Sequence, residues 1–180
     1  MELPLKPHQL LSHWVPGLVV LIFLLFLHYN WDYIKLTDVI AKQGSVVSVS
    51  LLLLAVAAFI IGEFIDAVRD LAEDCWNSKP KYKIDYERLH ADGADSLVRE
   101  SYWTYYVVCA NLVIAALVCI AALLVKTLLS NVVDDAKILI WVAIAFVIVT
   151  VFFLNARSLR KELSEITQKR AKRKNTGQTK

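Results

Sequence analysis

Four apolar blocks, each close to the length of a bilayer-crossing helix, dominate the sequence at residues 14–29, 45–61, 102–125 and 138–154. A hydrocarbon core ~30 Å thick needs about 20 mostly apolar residues in a helix. A helix also satisfies its own backbone hydrogen bonds, as a chain in lipid must. The blocks therefore predict an all-α integral membrane protein with four transmembrane helices. They also account for the composition, which is 57% hydrophobic and 21% charged, where soluble domains run at about 45–50% and about 25%. Intrinsic disorder, a disulfide-rich secreted module and an ordinary water-soluble enzyme are excluded on that ground.

The first block is the shortest. Trp14 and Tyr29 bracket it as interfacial aromatics do, and Pro16 falls in the first turn of the expected span, where a missing N–H costs little. Only Lys6 precedes the block, and no small-residue cleavage site follows it. It reads as a retained helix rather than a signal peptide.

Loop charge sets the orientation. Sixteen of the twenty Lys and Arg residues fall in segments 1–13, 62–101 and 155–180, and four fall in 30–44 and 126–137. The positive-inside rule places both termini and the middle segment in the cytoplasm. The outer loops, 30–44 and 126–137, are too short for a folded domain. The expected setting is the inner membrane of a bacterium.

On the cytoplasmic side, the second and fourth helices are expected to continue past the bilayer. Phe64, Val68, Leu71 and Cys75 recur at helical spacing, and so do Ala156, Leu159, Leu163 and Ile166. Both extensions run in the same direction. Phe64, Val68 and Leu71 are thus expected to pack against Leu159, Leu163 and Ile166 as paired stalks, within one subunit or between subunits. Glu63, Asp66, Asp70, Glu73 and Asp74 form a second, acidic face of the same extension. Ionisable groups within a turn of the hydrocarbon edge are costly unless paired or facing a wet interior. A polar belt at the inner leaflet is therefore expected from Glu63, Asp66, Arg69, Arg99, Tyr102, Asn155, Arg157 and Arg160, with Tyr105 and Tyr106 as further hydrogen-bonding partners. The alternative is a solvated acidic face.

The middle segment, 62–101, holds ten acids and six bases and is too short for a core of its own. It should fold only against the stalks or a partner. His90, Asp92 and Asp95 sit at spacings a metal could use, but His90-x-Asp92 beside Gly93 reads as turn chemistry. The end of the chain, 169–180, carries Lys169, Arg170, Lys172, Arg173 and Lys174. It reads as a disordered topology anchor that can meet nucleic acid or an acidic partner surface. Inside the spans, Asn111 is the one strong hydrogen-bonding side chain at depth, expected to act between helices. Ala58-x-x-x-Gly62 permits close helix approach. The three cysteines are expected to be free thiols.

C-x-x-C, P-loop, G-x-S-x-G and H-E-x-x-H patterns are absent. Asp92-Gly93-Ala94-Asp95 is similar to the aspartate motif of CDP-alcohol phosphotransferases, yet Arg99 and Glu100 follow where that family needs further acids. No enzyme activity, cofactor or metal is expected. In layout, though in no residue motif, the chain resembles the small four-span membrane subunits of prokaryotic anti-phage systems, such as the membrane subunit of Kiwa. That resemblance implies a membrane-anchored, homo-oligomeric interaction or sensor subunit with a soluble cytoplasmic partner. The alternatives are an inner-leaflet lipid-head-group enzyme and an oligomeric pore-forming effector.

Overall fold

A computed structural model describes residues 7–28, 47–89, 96–129 and 135–177. It is all-helical. Among the described residues, the four long helices are α1 (Pro7–His28), α2 (Val47–Asn77), α4 (Ser96–Leu129) and α5 (Asp135–Gly177), and a 3-10 turn and a short helix, α3 (Tyr86–Leu89), lie between α2 and α4. Among the described residues, three helices are long and apolar enough to cross a membrane, over Leu11–His28, Leu97–Leu129 and Leu139–Gln168. In α2 the apolar run reaches Ile61, and then Glu63, Asp66 and Arg69 enter the same unbroken helix.

Long helices that follow one another in the sequence alternate in direction. His13 and Gly17 of α1 lie against Glu63 and Ala58 of α2, an antiparallel pair. Ser12 and Leu27 of α1 meet Asn111 and Lys126 of α4, so α1 and α4 run parallel. Helix α4 is central, with α1 and α2 on one side and α5 on the other. Helix α5 packs along α4, and no comparable packing joins it to α1 or α2 among the described residues.

Small residues set the tightest crossing. A methyl group on Gly17 would overlap the Ala58 carbonyl, and one on Gly62 would overlap the carbonyl of His13. The two backbones therefore touch directly through Gly17, Ala58 and Gly62, the small-residue packing that membrane helices use in place of a hydrophobic drive. Beside it, Val20, Ile65, Ala115 and Cys119 form a buried cluster.

The helix boundaries correct two expectations. Because α1 starts at Pro7, Pro16 lies inside it rather than in its first turn. Residues 169–177, expected as a disordered tail, continue α5. At 43 residues and ~1.5 Å per residue, that helix is about 65 Å long, twice the hydrocarbon thickness.

Pairing of the α2 and α5 apolar stripes is not found within the chain. Phe64 and Leu71 are 66% and 72% exposed, and Val68 is half-buried. On α5, Leu163 is fully buried while Leu159 and Ile166 are partly so. Leu159 and Leu163 pack against a different element. Helix α2 stops at Asn77 ahead of Pro80, with Ser78 Oγ donating to the Cys75 carbonyl at 2.7 Å. A 3-10 turn (Pro80–Tyr82) follows. Ile84 and Leu89 then bury themselves with Tyr106, Val107 and Leu163. Gln168 of α5 donates to the carbonyls of Pro80 at 3.1 Å and Lys83 at 2.9 Å. The middle segment is thereby strapped to α5.

Candidate functional site: a buried polar ladder across four helices

The inward face of α2 is made by residues three and four apart: Gly62, Asp66, Arg69 and Glu73. That spacing puts two acids and an arginine in line toward α4. Arg69 is buried and pairs with all three neighbouring acids, Asp66, Asp70 at 2.6 Å and Glu73 at 3.2 Å. Its guanidinium also lies 5.9 Å from the Trp103 ring centre. Burial alone would lower its pKa, but the hydrogen bond to Asp70 and the charges of Asp66, Glu73 and Asp70 raise it above the ordinary value. It stays charged.

The upper end of the ladder is Asn111, which is 0% exposed. Its Nδ2 donates to Asp66 Oδ1 and to the Ser12 carbonyl, both at 2.9 Å. The second bond has a local cause. Pro16 stands four residues after Ser12 and has no N–H to give, so the Ser12 carbonyl loses its helical donor. Asn111 supplies one from the neighbouring helix. Asn111 Oδ1 is buried without a hydrogen-bond partner.

The lower end is Arg160 of α5, also 0% exposed. It donates to the Tyr82 carbonyl at 3.1 Å, to Asn77 Oδ1 at 2.8 Å and to the Tyr106 hydroxyl. Glu73 Oε2 lies 3.5 Å from its Nη1. The rings of Trp76 and Tyr106 sit 5.4 and 5.2 Å from its guanidinium carbon. Glu73 also accepts from the Tyr86 hydroxyl at 2.6 Å. Burial first, and then that bond, raise the Tyr86 pKa above 10.

Of the expected belt, Asp66, Arg69 and Arg160 meet in this ladder. Glu63 is set to one side, half exposed, with Oε1 3.4 Å from His13 Nδ1. Arg99 is buried elsewhere, donating to the Leu89 carbonyl at 3.2 Å. Tyr102 packs on the Ile84 cluster. Arg157 is exposed and donates to the Tyr82 hydroxyl at 3.0 Å, and Asn155 is exposed on α5. The supposed acidic face is divided: Asp66 and Glu73 turn inward, while Glu63, Asp70 and Asp74 stay exposed.

Sequence reasoning missed Glu73 as a belt member, along with Asn77, Tyr82, Tyr86 and the aromatic platforms Trp76 and Trp103. The seven-residue spacing from Asp66 to Glu73 was the available signal. His90, Asp92 and Asp95 lie outside the described residues, as do the side chains of Lys169, Arg170, Lys172, Arg173 and Lys174. Among the described residues no group of three His, Cys, Asp or Glu could hold a metal. Cys75 is exposed and Cys109 and Cys119 are buried, all as free thiols.

Chemically, the ladder ties α1, α2, α4 and α5 together and pairs each buried charge with an opposite one, although Arg69 Nε, Arg69 Nη1 and Glu73 Oε1 complete no hydrogen bond. No known protein family, curated protein or solved structure matches the chain.

Proposed function

We propose that this protein is a membrane-anchored interaction subunit. It crosses a bacterial inner membrane four times with both termini in the cytoplasm, self-associates, and presents its cytoplasmic helices to a soluble partner. The reading puts the inner hydrocarbon edge at the level of Ser12, Asp66 and Asn111, where the polar ladder begins. Helices α2 and α5 then project beyond the bilayer, and the basic residues at 169–174 lie well clear of it, available to an acidic protein surface or nucleic acid.

The observation that carries the reading is the outward stripe of α2. Leu53, Ile60, Phe64 and Leu71 are all largely exposed. Leu53 and Ile60 belong in lipid. Leu71 lies ten residues past Ile61, about 15 Å along the helix. Exposed apolar surface continued past the apolar run and flanked by acids, here Asp70 and Asp74, marks an interaction face. A role in anti-phage defence is proposed from the layout alone.

Cys75 extends the stripe and is exposed, so it reports on self-association. Mild oxidation of native membranes should yield a disulfide-linked dimer that Cys75→Ser abolishes. Leu71→Glu combined with removal of 169–180 should strip a defined protein from pull-downs of the full chain. A chain that stays monomeric on oxidation and keeps the same pull-down profile in that variant refutes the reading.

A further inference from the structure

Because α2 and α5 do not pack on each other along the bilayer, a strip of α4 lies uncovered between them. The trough, a cavity of about 250 Å³, is floored by Ala110, Ile114 and Leu117, with Phe153 and Ala156 along one wall and Trp76 at its inner end. The polar groups that reach it, Arg69, Glu73 and Tyr106, are already paired within the ladder. They offer no free charge to an occupant.

A second cavity, of about 280 Å³, adjoins the first. It shares Trp76 and Phe153 with the trough and adds Lys79, Tyr82 and Arg157. The two shared rings meet edge-on with centres 5.9 Å apart. Together the cavities reach the size of small-ligand sites, about 300–1,000 Å³. They are also polarised: apolar at the depth of Ile114 and Leu117, cationic at the level of Lys79 and Arg157. Charge around the mouth has one sign. The Tyr82 hydroxyl is pulled below its ordinary pKa by the hydrogen bond from Arg157, with the charges of Arg157, Lys81 and Lys79 acting the same way.

We infer that the two cavities form one site for an anionic glycerophospholipid of the inner leaflet, an acyl chain lying in the trough and the phosphate held between Lys79 and Arg157. The arrangement follows the axis of a lipid, with the tail in the hydrocarbon and the head where Trp76 and Tyr82 mark the interface. A zwitterionic lipid would bring its own ammonium among three cations. A soluble anion would leave the trough empty, and a helix of another subunit is too thick to enter it. The larger apolar groove on the other side of α4, about 500 Å³ and lined by Phe23, Leu112 and Trp141 among others, carries no charge that would select a lipid class. The inference rests on the membrane placement and not on the soluble partner, so the two proposals fail separately.

The test is native mass spectrometry of the full chain in neutral detergent, titrated with phosphatidylglycerol, phosphatidylcholine or inorganic phosphate. Phosphatidylglycerol should bind at least tenfold more tightly than phosphatidylcholine, and phosphate alone should not bind. Lys79→Gln/Arg157→Gln changes two exposed side chains and should erase that preference. Lys79→Gln alone should reduce it severalfold, which keeps the test decisive if the double variant fails to fold. Ala110→Leu, which narrows the trough, should weaken both lipids. Equal binding of the two lipids, an unchanged preference in the glutamine variants, or phosphate binding as tight as phosphatidylglycerol would each overturn the inference.

Discussion

The hydrogen bond from Asn111 to Ser12 makes a prediction that couples two helices through a missing proton. Asn111→Leu keeps the side-chain volume and removes two bonds at 2.9 Å, one to Asp66 and one to the Ser12 carbonyl. A bond to a charged group contributes about 1.5–3 kcal/mol and a neutral one about 1. Together these give an expected loss of about 2–4 kcal/mol. Pro16→Ala restores a backbone N–H four residues after Ser12, so the carbonyl regains its helical donor. In that background Asn111→Leu should cost about 1 kcal/mol less, because the Asp66 bond alone is lost. Interhelical hydrogen bonds in membrane proteins average about 0.6 kcal/mol and reach about 1.7, which brackets the coupling. The void left by the proline ring is present in both arms of the cycle and cancels. The assay is denaturant unfolding of the full chain in mixed micelles for the four proteins of the cycle. Additivity within about 0.5 kcal/mol would refute the idea that Asn111 stands in for the proline's absent donor.

Three further outcomes are expected. Arg160→Met strips three hydrogen bonds from Tyr82, Asn77 and Tyr106 and should cost about 3–5 kcal/mol in the same unfolding assay; exposed Arg157→Met should cost under about 1. Gly62→Val forces a side chain into the His13 carbonyl. It should destabilise by at least about 1–3 kcal/mol and open the α1–α2 contact to protease, while Leu18→Ala, on the exposed side of α1, should not. Tyr86→Phe should lose about 1–2 kcal/mol at pH 8. Because burial and Glu73 raise the Tyr86 pKa in the fold, its contribution is complete below about pH 10 and disappears as pH rises through the raised value. The wild-type and Phe melting curves should therefore converge on the alkaline side, and a constant gap from pH 8 to pH 11 would contradict the assignment.

The helices were legible because hydrophobic length is a property of the chain alone. The faces were not. Phe64, Val68 and Leu71 follow the spacing that marks a buried stripe in water, and two of the three point outward. Lipid is as apolar as any protein interior, so near a bilayer an apolar stripe carries little information about which side is buried. Small and polar residues carry it instead: Gly17 and Gly62 at the crossing, Asp66, Arg69 and Glu73 along α2, Asn111 on α4. Arg160 was expected in a belt, but its partners on the 3-10 turn were not, since nothing local to Tyr82 foretells a contact 78 residues away.

Helix α5 has a mechanical consequence. It rests on α4, is clamped near its middle by Arg160 and two turns further on by Gln168, and runs about 26 Å beyond Arg160 to Gly177. A rigid rod held at an inner point is a lever. A tilt of about 10° about the clamp would carry the far tip about 4–5 Å sideways, and the opposite end by about 6–7 Å. On the membrane placement proposed above, a change in bilayer thickness or lateral pressure acting on one end of α5 would reach the other end as displacement, with no ligand crossing the membrane.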